Sequence, residues 1–227
     1  MNWTKSSILS TVPGIVHGFA DRTVKGAESD LAVSLGLSGG ITRLRQIHSS
    51  EVKVINDNSV AEAYMTGDAL VTRLRGVGIG VSTADCVPVL LADDRGEVAA
   101  AVHAGWRGTL SQIVDKTLGV IKDSFGITPE RMIAVIGPSA RNCCYEVGED
   151  VAFQFREKYR DNSQYLREKA DSKFILDLAL ANESALERSG VKNIEIMDIC
   201  TICNDNFYSY RREGKGVGSQ LSVIGLV

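Results

Sequence analysis

The chain has 227 residues, of which 44% are apolar and 23% charged, and these shares indicate a folded globular protein rather than a disordered or fibrous one. Its 25 basic and 28 acidic side chains give a net charge of −3, which argues against general binding of nucleic acid or anionic lipid. No apolar run reaches the roughly 18–20 residues that a membrane span needs, and residues 1–5 lack a signal-peptide pattern. We therefore expect a cytoplasmic protein.

Strand and helix patterns alternate from about residue 45 onward without a linker, so we expect a single domain over residues 1–227. Residues 24–38 are rich in Gly and polar side chains and predict no more than a loop or a short helix. Consecutive strands are predicted at residues 68–72, 78–82, 87–92 and 98–102. The last two form a predicted hairpin, because the turn formers Asp93-Asp94-Arg95-Gly96 separate them.

A helical period begins at Leu110 and ends at Gly126. Two further helices are predicted, at residues 149–160 and 177–189, and short apolar segments follow the pattern of strands at residues 132–136, 194–197 and 221–226. The aromatic segment 207–210 also favours a strand. Because helices and strands do not alternate regularly, the fold class is α+β with mixed sheets.

Histidine is scarce, since the chain contains only His17, His48 and His103. His48, Cys86 and His103 each fall at a predicted strand end, and two imidazoles with one thiolate suit zinc or copper while leaving a fourth position open. The same residues also suit a thiol hydrolase, with Cys86 as nucleophile and His103 as base. A buried thiol and two structural histidines would fit the spacing as well.

Other polar residues near these positions are candidates for supporting roles. Asp68 and Asp85 are the nearest carboxylates and suit the orientation of a histidine, although strand alternation puts Asp85 on the face opposite Cys86. Arg107 lies in a strand-to-helix turn that suits an anion, and Arg211 suits a phosphate or carboxylate. A tight packing turn and a solvated strand end are the structural alternatives.

The five cysteines indicate reduced thiols, because their number is odd and Cys143 and Cys144 are adjacent. Cys200 and Cys203 form a Cys-x-x-Cys pair, which is typical of redox and zinc sites. No second such pair exists, and 56 residues separate Cys144 from Cys200. The spacing therefore predicts incidental buried thiols, with Cys143, Cys144 and Cys203 dispensable.

Several sequence blocks together resemble the laccase-domain, or YfiH-like, family, whose bacterial members are named polyphenol oxidase or purine nucleoside phosphorylase. The blocks run in the family's order from about residue 17 to the C-terminus: Gln46-Ile47-His48, Asp68-Ala69-Leu70-Val71-Thr72, Ala84-Asp85-Cys86-Val87-Pro88, Val102-His103-Ala104-Gly105-Trp106-Arg107-Gly108-Thr109, Ile136-Gly137-Pro138-Ser139, Tyr145-Glu146-Val147-Gly148, Cys200-Thr201 and Phe207-Tyr208-Ser209-Tyr210-Arg211-Arg212.

The resemblance implies a four-layer α/β/β/α fold with a metal site at His48, Cys86 and His103. It implies phosphorolysis of adenosine, inosine, guanosine and methylthioadenosine, together with deamination of adenosine. Editing of peptidoglycan precursors by a Cys86 amidohydrolase and copper-dependent phenol oxidation are the alternatives. Of the family's N-terminal loop only Phe19 and Arg22 are retained, and the usual Gly-Arg near the C-terminus is replaced at Gly218-Ser219-Gln220. We therefore expect zinc, a purine nucleoside and phosphate as ligands, with Arg22, Arg107 and Arg211 as candidate substrate-binding residues.

Overall fold

The computed structural model describes residues 3–24, 28–56, 65–159 and 164–227. Lys25 and Gly26 of the N-terminal loop, and residue 160 of the predicted helix 149–160, lie outside these ranges. The described strands are β1 (Ile15–Phe19), β2 (Ile41–Arg43), β3 (Val52–Ile55), β4 (Ala69–Thr72), β5 (Gly78–Thr83), β6 (Val87–Asp93), β7 (Ala99–Ala104), β8 (Met132–Ile136), β9 (Glu146–Val147), β10 (Leu166–Glu168), β11 (Phe174–Leu176), β12 (Asn193–Ile196) and β13 (Gln220–Leu226).

The described helices are α1 (Glu28–Ser34), α2 (Trp106–Leu110), α3 (Ile113–Phe125), α4 (Glu149–Lys158), α5 (Leu178–Ser189) and α6 (Tyr210–Glu213), with short 3-10 helices at Leu9–Thr11 and Pro129–Arg131. Over the ranges that the structure describes, none of these helices combines the length and apolar character needed to span a membrane.

A mixed six-stranded sheet in the order β12-β8-β6-β7-β4-β3 forms the centre of the fold. Its middle strands β6 and β7 form the predicted antiparallel hairpin, whereas β12 pairs with β8, and β3 with β4, in parallel. Side chains alternate along β6, so that Val89 and Leu91 enter one apolar core while Leu90 and Ala92 enter another. Both faces of this sheet are therefore covered.

Apolar side chains of the described residues form three cores that separate four layers. The first core lies between the six-stranded sheet and helices α3 and α5, and the second lies between this sheet and a four-stranded sheet, β1-β13-β5-β2. The third core joins Leu31 of α1, and Leu35 just after this helix, to Val223 of β13. A small sheet, β10-β11-β9, packs beside α4. The resulting α/β/β/α order confirms the predicted α+β class with mixed sheets.

The helix predicted from Leu110 to Gly126 is two helices in the structure. Gln112 has a φ of +61°, in the left-handed region, and this conformation separates α2 from α3. Gly126, with a φ of +70°, ends α3 as predicted.

The aromatic segment 207–210 does not form the predicted strand, because it leads into the short helix α6. Ser209 caps that helix, and its side chain accepts a hydrogen bond from the N–H of Arg212. The Ser209 side chain thus satisfies the N–H of Arg212, which in a strand would instead donate to a neighbouring strand. The helices predicted at residues 149–160 and 177–189 are observed as α4 and α5.

Candidate active site

The three side chains predicted as metal ligands lie together in the structure. His103 is near the end of β7 and Cys86 immediately precedes β6, and the pairing of Pro88 with His103 brings these positions side by side. His48 comes from the loop between β2 and β3 rather than from a strand end, and it has a φ of +57°. The ligand atoms of the three residues lie within 4.8 Å of one another.

Asp68 holds both histidines of this triad. Its Oδ1 accepts hydrogen bonds from Nδ1–H of His103 at 2.8 Å and from the backbone N–H of His48 at 3.0 Å. Its Oδ2 accepts from the N–H and hydroxyl of Ser49 at 2.6 and 2.7 Å. Burial acts to raise the pKa of Asp68, but the bonds from His103 and Ser49 outweigh it and hold that pKa well below its usual range.

Asp85, the second candidate carboxylate, accepts hydrogen bonds from residues outside the triad. It has a φ of +85°, and its Oδ1 accepts a hydrogen bond from the Thr201 hydroxyl at 2.7 Å. Its Oδ2 accepts from the Ser209 hydroxyl at 3.1 Å and from the backbone N–H of Arg211 at 2.7 Å. Asp85 thus ties the turn that carries Cys86 to the C-terminal segment, and Asp68 is the carboxylate that contacts His103.

Cys86 and His103 shift each other's protonation. Burial acts to raise the pKa of the Cys86 thiol, but hydrogen bonds with His103 and His48 outweigh it and lower that pKa to about 7. Burial acts to lower the pKa of His103, but hydrogen bonds to Asp68 and Cys86 raise it to about 9. The site therefore favours a thiolate near neutral pH, which is the form of cysteine that binds metals and acts as a nucleophile.

Gly105 keeps open the space beside the three ligand atoms. A Cβ at this position would lie 3.1 Å from Sγ of Cys86, 3.2 Å from Cδ2 of His48 and 3.8 Å from Nε2 of His103. Its φ of −69° suits any residue, so space rather than backbone freedom calls for glycine here. Two imidazoles and a thiolate are donors suited to zinc and also to copper. The residues present therefore fit one metal ion.

Two of the three predicted substrate-binding arginines lie beside aromatic rings, and the guanidinium of Arg107 is 4.2 Å from the centre of the Trp106 ring. Arg211 is exposed and its guanidinium lies 5.4 Å from the centre of the Tyr145 ring. Burial and the charges of Cys86 and Asp85 raise the pKa of Tyr145 to about 12, while Arg211 and Arg107 act to lower it. Tyr145 therefore lies within electrostatic range of both the Cys86 thiolate and the two arginines.

The third arginine, Arg22, is paired within the protein. Its guanidinium donates to both carboxylate oxygens of Glu213 at 2.8 and 2.7 Å and lies 4.7 Å from the centre of the Tyr208 ring. Its binding to substrate stays a prediction, as it does for Arg107 and Arg211.

A cavity of about 220 Å³ opens beside Tyr145. Trp106, Arg211 and the ion pair of Lys173 with Glu146, whose Nζ and Oε1 are 2.9 Å apart, also line it, so that the wall offers aromatic faces and charges of both signs. Neither Lys173 nor the individual role of Tyr145 was inferred from the sequence. Tyr145 stands in one of the recognised blocks, which was a usable signal, whereas Lys173 lies in a polar segment with no distinguishing pattern.

The remaining four cysteines also come together, and two of them are exposed, so the prediction that all are buried is wrong; that Cys143, Cys144 and Cys203 are dispensable stays a prediction. Their Sγ atoms lie within 4.8 Å of one another. Cys143 and Cys203 are exposed, Cys144 is partly buried, and Cys200 is buried. Sequence spacing missed this cluster because its two halves are joined only by the fold.

Comparison with known proteins decides the family. Residues 15–227 match the family described as multi-copper polyphenol oxidoreductase laccase. The chain belongs to this family. YlmD from Geobacillus stearothermophilus, a solved structure 25% identical in sequence, has a TM-score of 0.86 and covers 99% of this chain and 98% of its own. The family expected from the motifs is thus confirmed.

Two related proteins carry names that bear on activity. A purine nucleoside phosphorylase of Deinococcus radiodurans is 39% identical over 206 residues, which are 90% of this chain and 78% of the relative. Adenosine deaminase RL5, from an unknown prokaryotic organism, is 38% identical over 210 residues, which are 87% of this chain and 80% of the relative.

Proposed function

We propose that this protein is a purine nucleoside phosphorylase that also deaminates adenosine, with a zinc ion held by His48, Cys86 and His103. One observation carries the proposal: a His₂Cys donor set lies near exposed arginines and aromatic rings. Relatives that are named purine nucleoside phosphorylase and adenosine deaminase support it. Adenosine, inosine, guanosine and methylthioadenosine are the substrates we expect.

The donor set suits a catalytic rather than a structural metal, because three protein ligands leave one position open. A zinc ion there supplies Lewis acidity and lowers the pKa of a bound water. Asp68 fixes the ring of His103 through Nδ1, and this contact leaves Nε2 for the metal. Copper is the alternative cofactor, since the same donors bind it.

Phosphorolysis requires an anion site beside the sugar. An oxygen of phosphate forms a bond to C1′ of the ribose while the glycosidic C–N bond breaks, and the purine leaves with the bonding electrons. Arg107 and Arg211 supply charged donors for the phosphate. The rings of Trp106 and Tyr145 offer faces on which a purine can stack. Deamination needs no anion site, because the oxygen of water replaces the amino group at C6 and ammonia leaves.

Products formed with and without phosphate test the proposed function. Purified protein is incubated with adenosine, and the products are separated by chromatography. We expect adenine and ribose 1-phosphate only when phosphate is present, and inosine in both conditions. Absence of nucleoside turnover in either condition would contradict the proposal.

Arg107→Ala tests the anion site. Loss of one charged hydrogen bond, worth about 1.5–3 kcal/mol, should weaken phosphorolysis by roughly 10- to 100-fold while deamination changes much less. Arg73→Ala is the matched control, because Arg73, like Arg107, is exposed and lies close to an aromatic ring, with its guanidinium 5.7 Å from the centre of the Phe125 ring. Equal losses of the two activities in Arg107→Ala would rule out this role.

A thiol amidohydrolase is the second candidate, because Cys86, His103 and Asp68 form a nucleophile, base and orienting carboxylate. Such an enzyme would release an amino acid from a muropeptide precursor. Metal removal separates the two candidates, since a chelator should abolish nucleoside turnover but leave a thiol hydrolase active.

Copper-dependent phenol oxidation has less support from the residues. Laccase chemistry uses several coppers and many histidines, whereas this chain has three histidines. One of them, His17, is buried, and its Nε2 accepts a hydrogen bond from the N–H of Ser6. The triad provides donors for one ion.

A further inference from the structure

The fold gathers four thiols at a place that shares no residue with the triad. Cys143 and Cys144 lie in one turn, and Cys200 and Cys203 lie at the two ends of another. All four Sγ atoms are within 4.8 Å of one another, and those of Cys143 and Cys203 are 3.9 Å apart. Four thiols this close form a donor set for a single ion.

Backbone hydrogen bonds hold the two turns in place. The N–H of Thr201 donates to the carbonyl of Ser139 at 3.0 Å, and the N–H of Ser139 donates to the carbonyl of Ile199 at 3.2 Å. Each turn is also closed by a backbone hydrogen bond. The N–H of Cys144 donates to the carbonyl of Arg141 at 2.9 Å, and the N–H of Asn204 donates to the carbonyl of Cys200 at 3.1 Å. The thiols are therefore positioned by main-chain contacts, without a covalent link between the turns.

The sulfur separations suit a metal better than a disulfide. Zinc binds four thiolates tetrahedrally with Zn–S bonds of about 2.3 Å, so the sulfurs lie about 3.8 Å apart. The 3.9 Å between Cys143 and Cys203 matches this spacing. A disulfide needs its sulfurs about 2.05 Å apart and would join only two of the four.

The surroundings also suit the charge of such a centre. Zinc with four thiolates carries a net charge of −2. The Arg141 side chain is 13% exposed, and among the described residues its Nε and Nη1 have no hydrogen-bond partner. Arg141 lines the same cavity as Cys143, Cys200 and Cys203. The Nε–H and Nη1–H groups of Arg141 would stabilise thiolates around a cation.

We propose that Cys143, Cys144, Cys200 and Cys203 bind a second zinc ion in a closed structural site. Four protein ligands leave no position for substrate, unlike the triad. The ion would join the turn before Tyr145 to the turn that contains Thr201, whose hydroxyl donates to Asp85. It would stabilise this wall of the candidate active site. The proposal does not depend on the reaction that the triad performs.

The experiment isolates the thiol cluster by removing the triad. The full-length variant His48→Ala/Cys86→Ala/His103→Ala is purified under reducing conditions from zinc-supplemented medium. We expect one zinc per chain by elemental analysis, and X-ray absorption should show four sulfur neighbours at about 2.3 Å. A folded variant without zinc, or with zinc bound by nitrogen or oxygen, would overturn the proposal.

A second variant checks the ligands themselves. Cys200→Ser/Cys203→Ser should lose one zinc equivalent relative to the parent chain, with folding verified by circular dichroism. Unchanged zinc content would overturn the proposal, as would a disulfide among these four residues in freshly purified parent protein, detected by mass spectrometry. If the double variant fails to fold, the triad variant still decides the question, because its four thiols are intact.

Discussion

Asp68 connects two ligands that are 55 residues apart in the sequence, since one carboxylate oxygen accepts from both His48 and His103. A neutral amide at this position would keep the size of the side chain but lose the charge and place an NH₂ group among hydrogen-bond donors. The loop that carries His48 would then lose its anchor. Asp68 is therefore a positioning residue for the triad.

Asp68→Asn should lower the zinc affinity of the triad by about 10- to 100-fold, because partners that orient a metal-binding histidine have effects of this size. Competition with a chromogenic chelator measures the affinity. Asp94→Asn is the control, since Asp94 is an exposed carboxylate that pairs with Arg131. A folded Asp68→Asn protein with the zinc affinity of the parent would refute the positioning role.

His17, which is not part of the candidate active site, makes the free energy of unfolding depend on pH. Burial, together with the charge of Lys5, lowers its pKa to about 4, although the charge of Glu195 opposes the shift. The unfolded chain takes up a proton near pH 6.5, whereas the folded protein does so only near pH 4. The stabilising contribution is therefore complete above pH 6.5 and is lost as the pH falls toward 4.

This shift predicts that His17 reduces the free energy of unfolding by about 3 kcal/mol between pH 7 and pH 4. His17→Gln keeps an acceptor for Ser6 but does not titrate, so the variant should lose less stability over this range. Urea unfolding of both proteins at several pH values measures the difference. Identical pH dependence in the two proteins would show that His17 is not buried in its neutral form.

The junction between β7 and α2 illustrates how an element serves the site. Gly105 is the residue before α2, and the absence of a side chain there keeps open the space between the strand end and the loop that carries His48. Gly119, in the middle of α3, has no atom outside its neighbours and the helix backbone within 4 Å of the position that a Cβ would take. Alanine at Gly105 would therefore crowd the ligand atoms, whereas alanine at Gly119 would not, so the second substitution is a control for the first.

Gly105→Ala should reduce the zinc bound per folded chain by about one equivalent relative to the parent, because the new methyl group would lie 3.1 Å from Sγ of Cys86. Gly119→Ala should keep the metal and raise the free energy of unfolding by about 0.5–1 kcal/mol through helix propensity. Elemental analysis and urea unfolding provide the two measurements. Full zinc occupancy in Gly105→Ala would contradict the steric argument.

Most helices and strands could be predicted from the sequence. β6 and β7 are buried on both faces and therefore appear as nearly continuous apolar runs, and α5 ends at Gly190. The break at Gln112 could not be predicted, since no residue typical of left-handed backbone marks it and the apolar period runs on from Leu110. The segment 207–210 was misassigned because its aromatic residues favour strands, whereas the cap formed by Ser209 is a local contact.

The candidate site was only partly accessible to sequence reasoning. The scarcity of histidine and the motif blocks indicated His48, Cys86 and His103. The sequence offers two candidates, Asp68 and Asp85, for the carboxylate that orients His103. Only the fold shows that Asp68 contacts His103, whereas Asp85 accepts a hydrogen bond from Thr201. The four-thiol cluster was missed because the pairing of residues 139 and 200 is a long-range contact.

At the scale of the whole molecule, the four layers bring distant segments to one end of β6 and β7. The triad uses the hairpin and the β2–β3 loop, while the turn before β9 and the C-terminal segment place Tyr145 and Arg211 nearby. A single site can therefore present metal ligands, a stacking surface and cations to one substrate. This convergence is the basis for assigning two reactions to the same residues.

The most direct test compares the rates of adenosine phosphorolysis and deamination in His48→Ala with those of the parent protein. His48 is exposed, so the variant is expected to fold, and Arg73→Ala is again the control. Both rates should fall together by at least about 100-fold, because a metal contributes several kcal/mol to each reaction. Retention of either activity at the parent rate in His48→Ala would contradict the assignment of both reactions to this one site.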